Sequence, residues 1–225
     1  MAEFHIRGGL GTQILSLYAC YAIAIEKNQT IDKLVFNHGF YSSETKDPNI
    51  VFVDSILGFH NKPEYAIVHG TNKTSPFIKS NVELIIKHWN AIQQEVFLLK
   101  QYEQTNDNIL HIRQLDRALV SLDKFDKLFY SDINYTVVSD DPLVYKRYGL
   151  EYVDDTMNDW ERIISASSVV GGYSTFTLLA GMLNPKLKLS IVRKENSNSH
   201  MLSENDWSAL NMYVEAFPNI EWVAL

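Results

Sequence analysis

The stretch "SSVVGGYSTFTLLAGML" (Ser167 to Leu183) decides the fold that this sequence predicts. A short apolar run, Ser168 to Gly171, is followed by a second glycine and then by a helical pattern, Ser174 to Leu183. This order predicts a buried strand, a tight turn and a helix whose first residues carry hydroxyl groups. The unbonded N–H groups and the positive dipole end of a helix start bind anions, typically phosphate. Ser174 and Thr175 therefore either cap the helix or help to hold a phosphate.

The same alternation of short strands and helices continues on both sides of this stretch. We predict strands at 109–113, 151–153, 168–171 and 188–192, a strand that runs into a helix cap at 134–142, and helices at 121–130, 142–148, 158–165, 174–183 and 204–216. Alternating strands and helices imply a mostly parallel sheet with helices on both faces. The predicted fold class is therefore α/β.

The first half of the chain has a second, less regular α/β pattern. We predict a strand at 4–7, a helix at about 12–27, a strand at 33–36, loops and short elements at 37–80, and a helix at about 81–99. The polar run "KQYEQTNDN" (Lys100 to Asn108) is the best candidate for a linker. The sequence therefore predicts an N-terminal domain at 1–103 and a C-terminal domain at 104–225.

Composition and charge narrow the class of protein. The 225 residues are 46% apolar and carry a formal net charge of −7, which argues against a broad nucleic-acid-binding surface. The one cysteine, Cys20, lies in an apolar helical pattern and is expected to fill the core in a reducing compartment. The longest apolar stretch, about 14–25, is shorter than the ~20 residues that span a bilayer, and the N-terminus lacks a signal-peptide pattern. We therefore expect a cytoplasmic protein without a membrane span.

A second glycine cluster stands near the start, in "FHIRGGLGTQILSLYA" (Phe4 to Ala19). Between a strand and a helix, Gly8, Gly9 and Gly11 let the backbone approach an anion, or they simply form a tight turn. The dinucleotide-binding fingerprint fits poorly, because its third glycine position holds Ile14. This departure weakens the alternative of a dinucleotide-dependent oxidoreductase.

The predicted strand "LHIRQLD" (Leu110 to Asp116) brings two polar side chains to one face, because His111 and Arg113 are two residues apart. A guanidinium group makes two parallel hydrogen bonds to phosphate and stays charged at any working pH. Arg113 is therefore the leading candidate for a phosphate ligand, and the alternative is an ion pair with an acid such as Asp116. His111 is either a ligand or a hydrogen-bonded core histidine.

Acidic residues follow the next predicted strand, in "VVSDDP" (Val137 to Pro142). Ser139, Asp140 and Asp141 can each cap a helix that begins at Pro142. Alternatively, a carboxylate there accepts hydrogen bonds from the hydroxyl groups of a sugar or from a base. Two glycine turns, one in each half of the chain, and an arginine at a strand end between them suggest a cleft for a doubly phosphorylated ligand.

These motifs resemble those of bacterial α-1,2-fucosyltransferases, glycosyltransferase family 11. "GGLGTQ" (Gly8 to Gln13) resembles the family's "GGLGNQ", and "HIRQLD" (His111 to Asp116) resembles its "HIRRGD". "VSDD" (Val138 to Asp141) and "VVGGYSTFTLLAGML" (Val169 to Leu183) match, in the same order, the family's "SDD" and its serine-rich stretch before a late helix. The resemblance implies a GT-B-like fold of two facing Rossmann-like domains. The first, acceptor-side domain is reduced here, and the second binds the donor.

The resemblance also implies a reaction and a set of site residues. The family transfers fucose from GDP-fucose to a glycan acceptor with inversion and without a metal, so neither a metal nor another cofactor is expected. By resemblance, Arg113 contacts the β-phosphate, His111 lies near the guanine, and Ser174 and its neighbours bind the diphosphate. The donor-binding residues implied are Gly9, Gly11, Thr12, Gln13, His111, Arg113, Asp140, Asp141, Tyr173, Ser174 and Thr175.

Two residues are candidates for the catalytic work in such a transfer. Arg113 would stabilise the negative charge that develops on the leaving diphosphate. An inverting transfer can also use a general base on the acceptor hydroxyl, for which Asp116 is the first candidate and Glu44 the second.

Two other functions stay open from the sequence. A metal-dependent glycosyltransferase could use "VDDT" (Val153 to Thr156) as its acidic metal motif. A non-catalytic nucleotide- or glycan-binding protein with a degenerate site is the other, because Gln114 and Leu115 stand where the family has an arginine and a glycine.

Overall fold

A computed structural model describes residues 2–6, 10–37, 53–68, 78–113, 120–153, 155–192 and 204–224. The chain divides into two compact units. The first unit contains Met1–Gln101 and Glu204–Tyr213, and the second contains Tyr102–Ser203 and Val214–Leu225. The first division thus lies two residues before the expected boundary, whereas the return of the chain to the first unit at 204–213 was not predicted. The acceptor and donor roles of the two domains stay predictions.

The first unit contains a small parallel sheet. Its elements in chain order are β1 (Ala2–Ile6), α1 (Leu10–Glu26), β2 (Ile31–Asn37), α2 (53–56), β3 (Leu57–Phe59), β4 (Glu64–Val68), α3 (Lys79–Lys87), α4 (Trp89–Glu95) and β5 (Val96–Leu98). The sheet order is β1-β2-β4, with both pairs parallel, while β3 and β5 form a separate antiparallel pair.

Helix α1 forms the core of the first unit. Most of its side chains are buried, among them Ile14, Leu15 and Cys20, as the apolar pattern on nearly all sides of the helix predicts. The helix begins at Leu10 rather than at about residue 12. Gly11 therefore lies in the first helical turn and not in a turn before the helix.

The single helix predicted at 81–99 is wrong. The structure has two helices, α3 and α4, that meet at His88, and then strand β5. Val96 and Phe97 have side chains that favour strands, and β5 pairs with β3. The ring of Phe97 lies over Gly58 of β3, where a Cβ atom would come within 2.5 Å of it.

The second unit contains a five-stranded parallel sheet, which confirms the α/β class and is compatible with a Rossmann-like fold. Its elements are β6 (Asn108–Ile112), α5 (Leu122–Phe129), β7 (Tyr135–Ser139), α6 (Pro142–Arg147), α7 (Thr156–Ser165), β8 (Ser168–Gly171), α8 (Thr175–Leu183), β9 (Lys188–Val192), α9 (Glu204–Ala216) and β10 (Ile220–Val223). The strand order is β10-β9-β8-β6-β7, and every neighbouring pair is parallel. Helix α9 begins in the first unit and ends in the second.

Two elements of this unit differ from the sequence prediction. Residues 151–153 form no strand, and β10, which was not predicted, pairs with β9 at the edge of the sheet. Asn219, just before β10, donates from Nδ2 to the carbonyl oxygens of Gly181, Leu187 and Asn184 at 2.8, 2.9 and 3.2 Å. These contacts with the end of α8 and the turn after it hold the start of β10, and no local pattern in the sequence announces them.

Within the described part of the chain, no helix combines the length and the apolar character needed to cross a membrane.

Candidate ligand-binding site at the carboxyl edge of the second sheet

The strand order of the second sheet creates a switch point between β6 and β8. The chain leaves β6 for β7 on one side and later returns to β8 on the other side of β6. Open parallel sheets bind ligands beyond the carboxyl ends of the strands at such a point, because the connections that follow the two strands run to opposite sides. Arg113 follows β6 directly, and Gly172 follows β8. Both predicted strand-end motifs thus reach the position where this topology places a ligand.

Arg113 pairs with an acid at the end of the neighbouring strand. Its Nε lies 3.5 Å from Oδ2 of Asp140, and the two side chains are 26% and 35% exposed. Asp140 is therefore an ion-pair partner of Arg113 that the sequence analysis did not name, and the alternative partner, Asp116, lies outside the described residues. At 3.5 Å the contact is longer than a usual hydrogen bond, and both groups remain partly accessible to solvent. The guanidinium is thus held at the sheet edge and not enclosed in the core.

His111 lies on β6, two residues before Arg113, and is buried, with 7% exposure. Burial, with a smaller effect from the positive charge of Arg113, lowers the pKa of His111 to about 3. Its Nδ1 is buried and has no hydrogen-bond partner among the residues described. His111 is therefore neutral at physiological pH, and one of its ring nitrogens is available to a ligand or to a residue outside that set.

Gly171 allows β8 to approach β6, the strand that carries His111, closely. The two residues are in register on β8 and β6. A Cβ atom on Gly171 would lie 2.5 Å from the carbonyl oxygen of His111 and 3.1 Å from its Cβ. Gly171 is therefore required by strand packing. Gly172 has no such close neighbour among the described atoms, because a Cβ atom there would come no nearer than 3.6 Å, to Cγ2 of Val120.

Helix α8 covers the face of the sheet that carries His111. A Cβ atom on Gly181 of α8 would lie 3.0 Å from the side chain of Leu189, so the helix touches the sheet there. Leu189 is in register with Val169, and the next residue on the same face of β8 is Gly171, in register with His111. Because α8 begins just after β8, its first turn lies at the same edge and on the same face as His111.

Side chains in the first turn of α8 make hydrogen bonds to the backbone of the same turn. Ser174 is the N-cap: its Oγ accepts a hydrogen bond from the N–H of Phe176 at 3.2 Å. Its carbonyl oxygen accepts one from Oγ1 of Thr177 at 3.1 Å. Tyr173, Ser174 and Thr175 are all buried, with 3%, 3% and 6% exposure. Ser174 thus fills the capping role that the sequence left open, and its contact with a phosphate stays a prediction.

The two acids after β7 differ in their roles. Asp141 caps α6, because its Oδ1 accepts a hydrogen bond from the N–H of Leu143 at 2.8 Å. Asp140, in contrast, faces Arg113. Capping therefore explains Asp141 alone, and Asp140 is the acid that belongs to the candidate site.

Sequence reasoning missed the contacts that tie β7 to its surroundings, although it named Ser139 as a candidate helix cap. The Oγ of Ser139 donates to the carbonyl oxygen of Ile112 at 2.5 Å, and the N–H of Ser139 donates to the hydroxyl of Tyr145 at 3.1 Å. A serine at the last residue of an otherwise apolar strand was the only local signal for Ser139. Nothing in the sequence indicated that Tyr145, one turn into α6, reaches back to it.

The other predicted site residues lie in the first unit or outside the described residues. Gly11, Thr12 and Gln13 lie in the first turn of α1, in the first unit, where Gln13 is buried with 3% exposure. Gly9, Asp116, Gln114, Leu115 and Glu44 lie outside the residues described. Their proposed roles stay predictions.

The acidic motif at 153–156 contains another helix cap. Oδ1 of Asp155 accepts hydrogen bonds from the N–H groups of Met157 and Asn158 at 3.1 and 3.0 Å, at the start of α7. Asp154 lies outside the described residues. Among the residues that are described, no group of three or more His, Cys, Asp or Glu side chains lies close enough to hold a metal ion.

No protein-family model, no curated protein and no solved structure matches this chain. The resemblance to the fucosyltransferases therefore rests on four short blocks of sequence.

Proposed function

We propose that the chain is a glycosyltransferase that binds a nucleoside diphosphate sugar at the carboxyl edge of the five-stranded sheet and transfers the sugar to a hydroxyl group of a glycan. GDP-fucose is the proposed donor, following the sequence resemblance. In this proposal the second unit is the donor side of a GT-B-like pair of domains, and the first unit is the acceptor side. The reaction inverts the anomeric centre and proceeds without a metal.

One observation carries the proposal: a partly exposed arginine, Arg113, stands at the end of the strand that borders the switch point. The diphosphate leaves with an additional negative charge as the glycosidic bond breaks. A guanidinium group held beside it stabilises that charge more in the transition state than in the ground state. Asp140 holds the guanidinium at the edge before the ligand arrives.

Two further features support the same position for the donor. The first turn of α8 begins at the same edge, so its dipole adds positive potential there. His111 is buried on the same face of the sheet as a neutral imidazole. It can accept a hydrogen bond from a nucleotide base or donate one to it without adding charge. A helix start, a guanidinium group and a neutral polar group at one sheet edge support a nucleoside diphosphate as the ligand.

A non-catalytic nucleotide-binding protein is the second candidate. The hydroxyl of Ser174 and one carboxylate oxygen of Asp141 serve as helix caps, so fewer groups are left for transfer chemistry than the family's motifs imply. Such a protein would bind the nucleotide through Arg113 but would neither hydrolyse nor transfer the sugar.

A ligand screen followed by a transfer assay tests the proposal. Thermal unfolding is recorded with GDP, GDP-fucose, other nucleotide-sugars and NADH. A true ligand at 100 times its dissociation constant stabilises the fold by about 2.7 kcal/mol. Stabilisation by GDP or by another nucleoside diphosphate, together with release or transfer of the sugar, supports a transferase. Binding without turnover on a panel of glycans supports the second candidate, and stabilisation by NADH alone overturns both.

A further inference from the structure

Ser139, at the last position of β7, connects the two strands that carry Arg113 and Asp140. It is in register with Ile112 and is buried, with 4% exposure. Its Oγ donates a hydrogen bond to the carbonyl oxygen of Ile112 at 2.5 Å and accepts one from the N–H of Asp141 at 3.1 Å. One hydroxyl group therefore bonds to the residue before Arg113 and to the residue after Asp140.

Tyr145 of α6 makes a hydrogen bond to the backbone of the same serine. Its hydroxyl oxygen accepts a hydrogen bond from the N–H of Ser139 at 3.1 Å. The ring of Tyr145 is 6% exposed and packs edge-on against Tyr152, with ring centroids 5.3 Å apart. Ser139 is thus held by a packed side chain of α6 while its hydroxyl holds the ends of β6 and β7.

Both hydrogen bonds are directional, and the one to the Ile112 carbonyl is buried, whereas the one from the Asp141 N–H is part-buried. Without the hydroxyl group, each of these two backbone groups would lose a partner. An unsatisfied buried group is costly, so the two strand ends would shift to find other partners. Arg113 and Asp140 are the residues that such a shift would displace.

We propose that Ser139 is a positioning residue for the proposed phosphate-binding arginine, and that Tyr145 supports it in this role. The inference rests on the proposed function, in which Arg113 binds the diphosphate. Ser139 does not itself contact the ligand; it sets where the guanidinium of Arg113 and the carboxylate of Asp140 stand. The effect of Ser139 on ligand binding therefore passes through Arg113.

A double-mutant cycle between Ser139 and Arg113 tests this, with GDP as the probe and titration calorimetry as the measurement. We expect Ser139→Ala to weaken GDP binding about tenfold, equivalent to about 1.4 kcal/mol. In the Arg113→Ala background, the same change alters the dissociation constant by less than about twofold, because the residue through which Ser139 acts is gone. An equal loss in both backgrounds, or no loss in the folded single variant, overturns the inference.

Ser131→Ala is the matched control. The hydroxyl of Ser131 also donates to a carbonyl, that of Leu128 at 2.6 Å, and accepts from the N–H two residues on, that of Ile133 at 3.3 Å. It does so after α5 and not at the sheet edge. GDP binding is expected to be unchanged in this variant, and a loss as large as that of Ser139→Ala would show that any such hydroxyl matters equally, which contradicts the inference.

A second variant and a second readout keep the inference separate from the proposed function. If Ser139→Ala does not fold, Tyr145→Phe takes its place in the cycle. We expect Tyr145→Phe to weaken GDP binding about threefold in the wild-type background and not in the Arg113→Ala background. The NMR signal of the Arg113 Nε–H group, assigned by its absence in Arg113→Lys, is expected to shift in both variants. If Arg113→Ala does not weaken GDP binding, the proposed function fails. If the Arg113 Nε–H signal does not shift in either variant, the positioning role is overturned.

Discussion

His111 and Gly171 lie opposite each other on β6 and β8, and a Cβ atom at position 171 would come within 2.5 Å of the His111 carbonyl oxygen. That oxygen belongs to the backbone of a central strand, so it cannot move without disturbing the pairing of the sheet. The first glycine of the "GGYST" turn is therefore a packing requirement. The second glycine, Gly172, has no such close neighbour among the described residues, where an added Cβ atom would come no nearer than 3.6 Å, to Val120.

Substituting these two glycines separates packing from binding. Gly171→Ala is expected to lower the free energy of unfolding by about 1–3 kcal/mol, because the added methyl group overpacks the sheet. Gly172→Ala is the matched control and should change stability by less than about 0.5 kcal/mol, since its added Cβ meets Val120 at an ordinary 3.6 Å. Urea denaturation measures both. Equal stability of Gly171→Ala and the wild type would contradict the packing account.

The buried imidazole of His111 makes the stability of the fold depend on pH. Burial lowers the pKa of His111 to about 3 in the folded state, below the ordinary value near 6.5 in the unfolded chain. Between these values the unfolded state binds the proton and the folded state does not, so stability rises with pH in this window and is lost as the pH falls. From pH 7.5 to pH 5.0 this one group should remove about 2 kcal/mol.

Urea denaturation at the two pH values, compared between the wild type and His111→Gln, measures this contribution. The variant has no titrating ring, so its loss of stability on acidification should be about 2 kcal/mol smaller. The same pH dependence in both proteins would mean that His111 is not held neutral.

Asp155 is expected to act as a helix cap and not as a metal ligand. Asp155→Ala should lower the free energy of unfolding by about 1 kcal/mol, because two N–H groups of α7 lose their acceptor. Asp155→Asn keeps a capping oxygen and should stay close to the wild type. GDP binding measured with and without Mn²⁺ should be the same in all three proteins. A loss of Mn²⁺-dependent binding in Asp155→Asn would favour the metal-dependent alternative instead.

Asn219 is expected to be a main determinant of stability in the second unit. Asn219→Ala leaves the carbonyls of Gly181 and Leu187 without their donor and should cost about 1–3 kcal/mol. Asn219→Asp should be worse, because it points a carboxylate at the same carbonyl oxygens. The exposed Asn134, changed to Asp, is the control and should have an effect below about 0.5 kcal/mol. Thermal unfolding that ranks Asn219→Asp above Asn219→Ala in stability would contradict this interpretation.

The sequence predicts well those features that depend on neighbouring residues. The apolar run and glycines at 168–172 predicted β8 and the start of α8, and the all-round apolar pattern predicted the buried helix α1. The polar residues at the ends of β6 and β7 were also predicted, because strand ends and cap motifs are local. The ion pair between Arg113 and Asp140 was not, since it depends on which strands become neighbours.

The prediction failed where distant residues decide the local structure. Residues 96–98 continue a helical spacing, but their pairing with β3 makes them a strand. Strand β10 depends on β9 and on the contacts of Asn219, which come from residues more than thirty positions away. Ser139 and Tyr145 are only six residues apart, but their hydrogen bond joins a strand to the helix that follows it. Tertiary contacts of this kind leave no periodic signal in a single sequence.

The central claim is that Arg113 binds the phosphates of a nucleoside diphosphate, and calorimetric titration of GDP into two arginine variants tests it most directly. Arg147 is the matched control, because it is another partly exposed arginine of the same unit, lies in the last turn of α6 and is paired with Asp123 and Asp126 on α5. We predict that Arg113→Ala, with folding intact, weakens GDP binding more than about tenfold, while Arg147→Ala stays within about twofold of the wild type. Loss of less than tenfold in Arg113→Ala, or an equal loss in Arg147→Ala, would contradict the account.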